Sequence, residues 1–182
     1  MQLREQNFHM VRVYDDALPS ELCEKLIKLF EEWKSGQQYL NEDHKPCFTQ
    51  INLNSHPKPF VKRIIPFVKK VYDDYKRETV SFYLPKISLL EEFRVKRYKL
   101  GGSERFDEHV DVASYDTAKR ALAFLFYLND NNGKTVFTRH GLNISPTCGR
   151  VIVFPPTWEY PHAGLAPSDN TKYIMSTYLH YG

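Results

Sequence analysis

Two histidines and one aspartate in the second half of the chain have the types and spacing needed to bind a metal ion. His109 and Asp111 stand two residues apart in the segment Glu108-His109-Val110-Asp111. Alternate side chains of an extended strand point to the same face, so this imidazole and this carboxylate should converge. His162 follows after a segment rich in predicted strands, which can return it to the same place. Two histidines and a carboxylate on one face of the ion, with the other positions open, are typical of non-haem Fe(II) centres.

A lysine ten residues beyond His162 adds a second chemical requirement. Lys172 lies in an otherwise strand-like, largely apolar run, Thr171 to Ser176. Burying a cation without a partner is costly, so this position requires an anion. The distal carboxylate of 2-oxoglutarate is an anion of the right kind, because that co-substrate also occupies open positions on Fe(II). The triad and Lys172 together predict an Fe(II)- and 2-oxoglutarate-dependent hydroxylase.

The composition indicates an intracellular globular protein. The 182 residues are 42% hydrophobic and 14% aromatic, which favours a folded chain over a disordered one. The net charge is only +3 and the basic residues are scattered, so we predict no nucleic-acid partner. We find neither a signal-peptide pattern nor an apolar run of 18 residues, and therefore predict a cytoplasmic protein with no membrane partner. The cysteines Cys23, Cys47 and Cys148 are widely spaced, as expected for reduced thiols.

The first third of the chain has helical periodicity. Apolar residues recur every three or four positions between Leu22 and Trp33, with Pro19-Ser20 suited to the start and Gly36 to the end of a helix. A second amphipathic segment runs from Pro59 to Lys76. Pro66 inside it should bend or split that helix. The segment Asn41 to Pro57 is polar and loop-like, with a short strand possible at Phe48 to Ile51.

From Ser88 onward the pattern changes to short β-rich runs separated by turns. The predicted strands are Leu89–Tyr98, Leu122–Leu128, Thr135–Thr138, Leu142–Ile144, Arg150–Phe154 and Tyr173–His180. Strands at this spacing without intervening helices favour a sandwich or barrel. We therefore predict a mainly β protein with N-terminal helices, built on a double-stranded β-helix (a jelly roll or cupin-like barrel). It would be one domain, 1–182, with a helical buttress and first strands in 1–87 and the catalytic core in 88–182.

Several motifs in this half of the chain resemble the prolyl 4-hydroxylase-like Fe(II)/2-oxoglutarate-dependent dioxygenases. The resemblance covers about Glu92 to His180. It begins with a strand ending in Arg97-Tyr98 before a glycine turn and the His-x-Asp pair. It continues with an Arg-led strand ending in Tyr-Leu-Asn-Asp, a Gly-x-Thr-x-Phe strand and a Pro-x-x-Gly-Arg turn. It closes with Pro-His-x-Gly at 161–164 and a lysine ten residues past that histidine.

The resemblance implies a role for further residues. The metal ligands would be His109, Asp111 and His162, and these are also the catalytic centre. The residues that line the 2-oxoglutarate pocket would be Lys172, Tyr98, Tyr127, Thr135 and Ser176. Arg120 and His180 fall where prolyl 4-hydroxylases contact their substrate. The implied cofactor is Fe(II), the co-substrates are 2-oxoglutarate and O₂, and ascorbate is a candidate reductant.

The substrate stays open at this point. A peptide or protein containing proline is the first hypothesis. Phe106 and Tyr178, however, stand where prolyl 4-hydroxylases often carry Tyr and Trp. The alternatives are an oxygenase that acts on a free amino acid, another small molecule or a modified base, and a cupin-like binding protein without turnover. The sequence predicts no oligomeric state.

Overall fold

A computed structural model describes residues 10–42, 46–57, 59–79, 84–86, 89–101 and 103–181 of the chain. The two α-helices are α1 (Ser20–Glu32) and α2 (Phe60–Thr79). The strands are β1 (Arg12–Tyr14), β2 (Gln38–Asn41), β3 (Cys47–Asn52), β4 (Arg94–Tyr98), β5 (Phe106–His109), β6 (Arg120–Tyr127), β7 (Thr135–Phe137), β8 (Leu142–Ile144), β9 (Val151–Phe154), β10 (His162–Gly164) and β11 (Lys172–His180).

The strands form two antiparallel sheets, as the predicted double-stranded β-helix requires. The larger sheet has seven strands in the order β1-β9-β6-β11-β4-β3-β2, and the smaller has the order β5-β10-β7-β8. Strands from the first third of the chain thus extend the larger sheet on both sides, with β1 beside β9 and β3 beside β4.

The central strands β6 and β9 of the larger sheet are buried on both faces, which explains their apolar sequences. Along β6, Leu122, Phe124 and Phe126 pack with the helices, whereas Ala123 and Tyr127 pack with residues of the smaller sheet. This alternation follows from the two-residue period of a strand. A strand covered on both faces has an almost continuous apolar sequence, and β6 and β9 do. The inner face of the larger sheet therefore packs towards the smaller sheet, and its outer face packs against the helices.

The two helices cover the outer face of the larger sheet. Helix α1 buries Leu22, Leu26 and Phe30, one side of its 3.6-residue period, as predicted. Helix α2 is continuous through Pro66, so the expected split does not occur. Pro66 lies on the exposed side of the helix, where the carbonyl group that loses its backbone partner can bond to water instead. In the part of the chain that the structure describes, neither helix is long and apolar enough to cross a membrane.

The sequence patterns missed four short strands. Strands β1, β2, β5 and β10 have only three or four residues each. The edge strand β2 is mostly exposed, so it carries no apolar alternation. The segment Asn41 to Pro57, predicted to be loop-like with a possible strand at Phe48 to Ile51, holds the six-residue strand β3 around those residues and a short 3₁₀ turn at Leu53–Ser55. Strand β3 pairs with β4.

A carboxylate at the end of α1 ties this helix to the larger sheet. Glu31 accepts hydrogen bonds from the Tyr173 hydroxyl at 2.7 Å, from Arg97 at 2.8 Å and from Lys34 at 3.0 Å. Burial acts to raise the pKa of Glu31, but these three donors outweigh it and lower the pKa to about 2. Glu31 is therefore ionised at neutral pH and links α1 to β4 and β11.

Replacing Glu31 with glutamine should lower the free energy of unfolding by about 1–2 kcal/mol at pH 7, since hydrogen bonds to a charged group contribute about this much at a partly exposed site. The folded-state pKa lies below the ordinary value, so this stability is present above that value and is lost as the pH falls towards 2. Urea unfolding at pH 7 and pH 3 measures the effect, with the exposed Glu32→Gln as the matched control. An equal destabilisation at both pH values would contradict an ionic origin.

Candidate active site

The three predicted metal ligands lie together at one end of the smaller sheet. His109 is the last residue of β5, Asp111 follows two residues later, and His162 opens β10 directly opposite His109. The His109 Nε2 atom lies 3.4 Å from one carboxylate oxygen of Asp111, and the His162 Nε2 atom lies 3.6 Å from the other. The ligand atoms of these three residues all lie within 4.8 Å of one another. They could therefore hold a single ion.

Backbone hydrogen bonds orient both imidazole rings. His109 Nδ1 lies 2.8 Å from the carbonyl oxygen of Asp107, and His162 Nδ1 lies 3.1 Å from that of Tyr160. A carbonyl oxygen only accepts, so each Nδ1 carries the proton and each Nε2 keeps its lone pair. Metal-binding histidines are commonly held in this way, with the second ring nitrogen donating to a carbonyl group. Both free nitrogen atoms are directed towards Asp111.

Aromatic side chains enclose the two rings. The Phe106 ring stacks on His109 with centroids 3.4 Å apart, and the rings of Phe154 and Phe137 lie 4.8 Å and 5.5 Å from His162. His162 is buried. These contacts restrict rotation of the imidazoles and keep water away from the ligand atoms on that side.

The protonation states suit a divalent cation. Burial acts to raise the pKa of Asp111, but the adjacent His162 and His109 lower it well below the usual range. Burial lowers the pKa of His162, against the attraction of Asp111. The site thus presents an ionised carboxylate and a neutral imidazole, the forms in which these side chains bind metals. Two neutral imidazoles with one carboxylate suit Fe(II) and leave three coordination positions open.

The triad forms one wall of a pocket between the two sheets, and Lys172 lies in the same pocket. Lys172 is 1% exposed, and its ammonium group lies 3.5 Å from the Leu165 carbonyl oxygen and 5.0 Å above the Tyr98 ring. Burial and then the positive charge of Lys96 lower the pKa of Lys172 to about 7. The absence of a side chain at Gly164 leaves this ammonium group open to the pocket, because a Cβ atom there would lie 3.6 Å from it. Lys172 is a buried cation whose surroundings suit a carboxylate.

The other residues implied for the 2-oxoglutarate pocket take two different positions. Tyr98, Thr135 and Ser176 line the pocket with Lys172. Tyr127 lies behind them, where its hydroxyl group donates to the Thr135 hydroxyl at 2.6 Å. Tyr127 is fully buried, so it orients Thr135 and would influence a ligand only through that residue.

Arg120 and His180, the predicted substrate contacts, are instead bound to one carboxylate. Arg120 forms two hydrogen bonds with Glu91, at 2.7 and 2.8 Å, and His180 Nε2 lies 2.9 Å from the same side chain. Arg120 also donates to the backbone carbonyl of Asp111 at 2.8 Å, and its guanidinium group stacks on Tyr178 at 4.0 Å. Arg120 therefore supports the loop that carries a predicted metal ligand.

Sequence analysis overlooked two charged residues near the pocket. Lys96 lines the pocket itself, and Glu91 connects Arg120 with His180. The signal for Lys96 was its position two residues before Tyr98, which places both side chains on the same face of β4. Glu91 precedes β4 and had no motif that marked it.

Comparison with known families identifies the class of protein. The model of the 2OG-Fe(II) oxygenase superfamily matches residues 93–180, the segment that contains the triad and Lys172. The chain is thus similar to the 2OG-Fe(II) oxygenase superfamily over this segment, which is just under half of its length. It is thus a dioxygenase that uses Fe(II) and 2-oxoglutarate, and the arrangement of the described residues fits both groups. No curated protein matches the chain by sequence.

Solved structures with the same fold include several prolyl hydroxylases. The viral collagen prolyl hydroxylase of Paramecium Bursaria Chlorella virus-1, in its 2OG complex, is 18% identical with a TM-score of 0.73, over 95% of this chain and 97% of that one. A Pseudomonas putida prolyl-4-hydroxylase is 15% identical with a TM-score of 0.76, over 96% and 94%. A Trichoplax adhaerens prolyl hydroxylase, in complex with a peptide fragment of the hypoxia inducible factor oxygen degradation domain, is 15% identical with a TM-score of 0.74, over 96% and 84%. At these identities the likeness confirms the double-stranded β-helix fold.

Proposed function

We propose that this protein hydroxylates a proline residue within a peptide, with Fe(II) bound by His109, Asp111 and His162 and with Lys172 binding 2-oxoglutarate. The observation that carries the proposal is the placement, in one pocket, of the triad and of a buried lysine that has no carboxylate partner among the described residues. The peptide substrate rests on the shared fold with prolyl hydroxylases, one of which is bound to a peptide. Bound Fe(II), with 2-oxoglutarate and O₂, would supply the oxidising chemistry.

The contribution of the chain itself is to position the reactants and exclude water. The backbone carbonyls of Asp107 and Tyr160 hold the imidazole rings with Nε2 directed to the metal position. Lys172 would pair with the distal carboxylate of the co-substrate, which directs its other end towards the triad. Thr135, held by Tyr127, would add a hydroxyl group beside that carboxylate. Such orientation reduces the entropic part of the barrier.

A substrate screen tests the proposal. The protein is loaded with Fe(II) and incubated with 2-oxoglutarate and a set of proline-containing peptides, and mass spectrometry detects the gain of one oxygen atom while succinate release is followed in parallel. We expect succinate release coupled to oxygen incorporation at proline. Free proline, tested alongside, separates peptide hydroxylation from action on a small molecule. Succinate release with free proline alone would indicate an oxygenase that acts on a free amino acid and not on a peptide. Binding of 2-oxoglutarate without turnover of any substrate would favour a binding protein.

A further inference from the structure

The pocket contains a second lysine for which the proposed function has no role. Lys96 lies on β4, two residues before Tyr98, and is aligned with Ile174 of β11. It lines the same pocket as the triad and Lys172. Two lysines therefore line one pocket whose single acidic lining residue is Asp111.

Lys96 has no carboxylate partner among the residues that the structure describes. Its ammonium group forms no ion pair or hydrogen bond within those ranges, and it lies 5.2 Å above the ring of Phe48. Burial lowers the pKa of Lys96 to about 8, with Asp111 as the largest opposing influence. Asp111, however, lies between the two histidines and is the predicted metal ligand. Lys96 is only partly exposed, so its ammonium group is incompletely hydrated and this position favours an anion from outside the chain.

The two lysines occupy different depths of the pocket. Lys172 lies beside Gly164 of β10. Gly164 in turn lies next to Phe106 of β5, because a Cβ atom at Gly164 would be 3.8 Å from that side chain. The histidines lie one step further along the smaller sheet, at the paired positions His162 and His109. On the larger sheet, Tyr98 is the residue paired with Lys172. Lys96 precedes Tyr98 by two residues, which is one step of roughly 6.6 Å along the strand. Lys96 is therefore at the depth of the metal ligands, and Lys172 is at the depth expected for the distal carboxylate.

The two carboxylates of 2-oxoglutarate would not neutralise all the positive charge in this pocket. The positive charges of Fe(II) and Lys172 are balanced by the Asp111 carboxylate and by the two carboxylates of 2-oxoglutarate. Arg94 and Arg120, whose positive charges also act on Lys96, already pair with Glu92 and Glu91. The charge of Lys96 remains, and a net charge in a poorly solvated pocket attracts a counter-ion.

We infer that Lys96 binds a second carboxylate, beside the metal and separate from the one at Lys172. The inference rests on the proposed function, because it takes the triad and Lys172 to be occupied as described above. The charge count favours an acidic group of the substrate as the source, such as a Glu or Asp side chain next to the hydroxylated residue. The other source of the same chemistry is the metal-chelating carboxylate of 2-oxoglutarate itself.

Binding measurements on the Mn(II)-loaded protein test the inference without turnover. The variants are Lys96→Met and the matched control Lys99→Met, which removes one exposed charge just beyond β4. Calorimetry gives the Kd of 2-oxoglutarate and of 2-oxobutyrate, which has the chelating end but lacks the distal carboxylate. Capped proline peptides are then titrated into the protein with 2-oxoglutarate bound. They come in pairs that carry either Glu or Gln next to the proline, and one pair has that residue before the proline and another has it after.

If the substrate is the source, the wild type and Lys99→Met should bind a Glu peptide about tenfold more tightly than its Gln counterpart, as expected for one charge-assisted contact. Lys96→Met should bind the two peptides equally and keep the wild-type Kd for 2-oxoglutarate. If 2-oxoglutarate is the source, Lys96→Met should instead weaken 2-oxoglutarate and 2-oxobutyrate in parallel, by about tenfold or more. Either result supports a carboxylate site at Lys96.

The inference is overturned if Lys96→Met matches Lys99→Met in both the 2-oxoglutarate affinity and the peptide preference, including the case in which no peptide binds. Lys172→Met, measured in parallel, separates this failure from failure of the proposed function. Wild-type protein that binds no 2-oxoglutarate would refute the proposed function as well. If 2-oxoglutarate binding depends on Lys172, while Lys96→Met changes neither the 2-oxoglutarate affinity nor the preference for the Glu peptide, the Lys96 site alone is refuted.

Discussion

Replacing His162 with alanine should remove the metal and reduce turnover by about 1000-fold or more, since loss of even a supporting partner of a metal ligand costs about 10–100-fold. His162 supplies one of three ligand atoms, and its ring is buried between Phe137 and Phe154. Neither aromatic neighbour has an atom that can replace the nitrogen. The expected result is therefore loss of the metal together with loss of activity.

Metal content distinguishes this result from general damage to the fold. Equilibrium dialysis against Mn(II), followed by elemental analysis, should give about one ion per chain for the wild type and a much weaker affinity for His162→Ala. His56→Ala is the matched control, because His56 packs against Trp33 and Phe60 away from the pocket. Its metal content should equal that of the wild type. Full metal occupancy in His162→Ala would show that the ion is bound elsewhere.

Replacing Lys172 with methionine should weaken 2-oxoglutarate binding by about 100- to 1000-fold, because removing one partner of a buried charge pair costs about 3–5 kcal/mol and water that enters the gap recovers part of it. Methionine is similar in length but carries no charge. Calorimetry on the Mn(II)-loaded protein measures the loss, and Lys99→Met should retain wild-type affinity. An unchanged Kd in Lys172→Met would assign the distal carboxylate to another cation.

The pH dependence of 2-oxoglutarate binding provides a second signature of Lys172. Burial lowers the pKa of its free form to about 7, and a bound carboxylate should raise it again. Below pH 7 the lysine is protonated before and after binding, so affinity should be nearly constant. Above pH 7 binding must take up a proton, and the Kd should increase by up to about tenfold per pH unit. Lys172→Met should lack this slope between pH 7 and pH 9.

The stability of ligand-free Lys172→Met tests whether burial of the Lys172 ammonium group is what lowers its pKa. The folded-state pKa of Lys172 lies below its ordinary value of 10.5, so the unfolded chain binds more protons between about pH 7 and that value. The wild type should therefore gain stability as the pH rises through this range. Lys172→Met should be more stable than the wild type at pH 7, because it buries no unpaired charge. A destabilised variant would indicate that the ammonium group has a partner in the folded protein.

The local pattern was sufficient for the long elements and for placing His109 beside Asp111. Helix α1 follows an apolar period of 3.6 residues, because it buries one face, whereas strands β6, β9 and β11 are mostly apolar runs between turns. The two-residue spacing of His109 and Asp111 is enough to predict that their side chains converge, because alternate residues of an extended chain share a face. Lys172 was recognised because a cation in an apolar strand is chemically conspicuous. These inferences needed only residue type and nearest neighbours in sequence.

Tertiary structure alone decided the features that depend on pairing between distant segments. The three-residue strand β10, which carries His162, exists because it pairs with β5 and β7. Arg120 and His180 had sequence positions typical of substrate contacts, but their partner Glu91 comes from before β4. Lys96 faces the pocket because of the register between β4 and β11. A residue's chemistry can be inferred from its type, whereas the charge that it meets depends on which distant strand lies beside it.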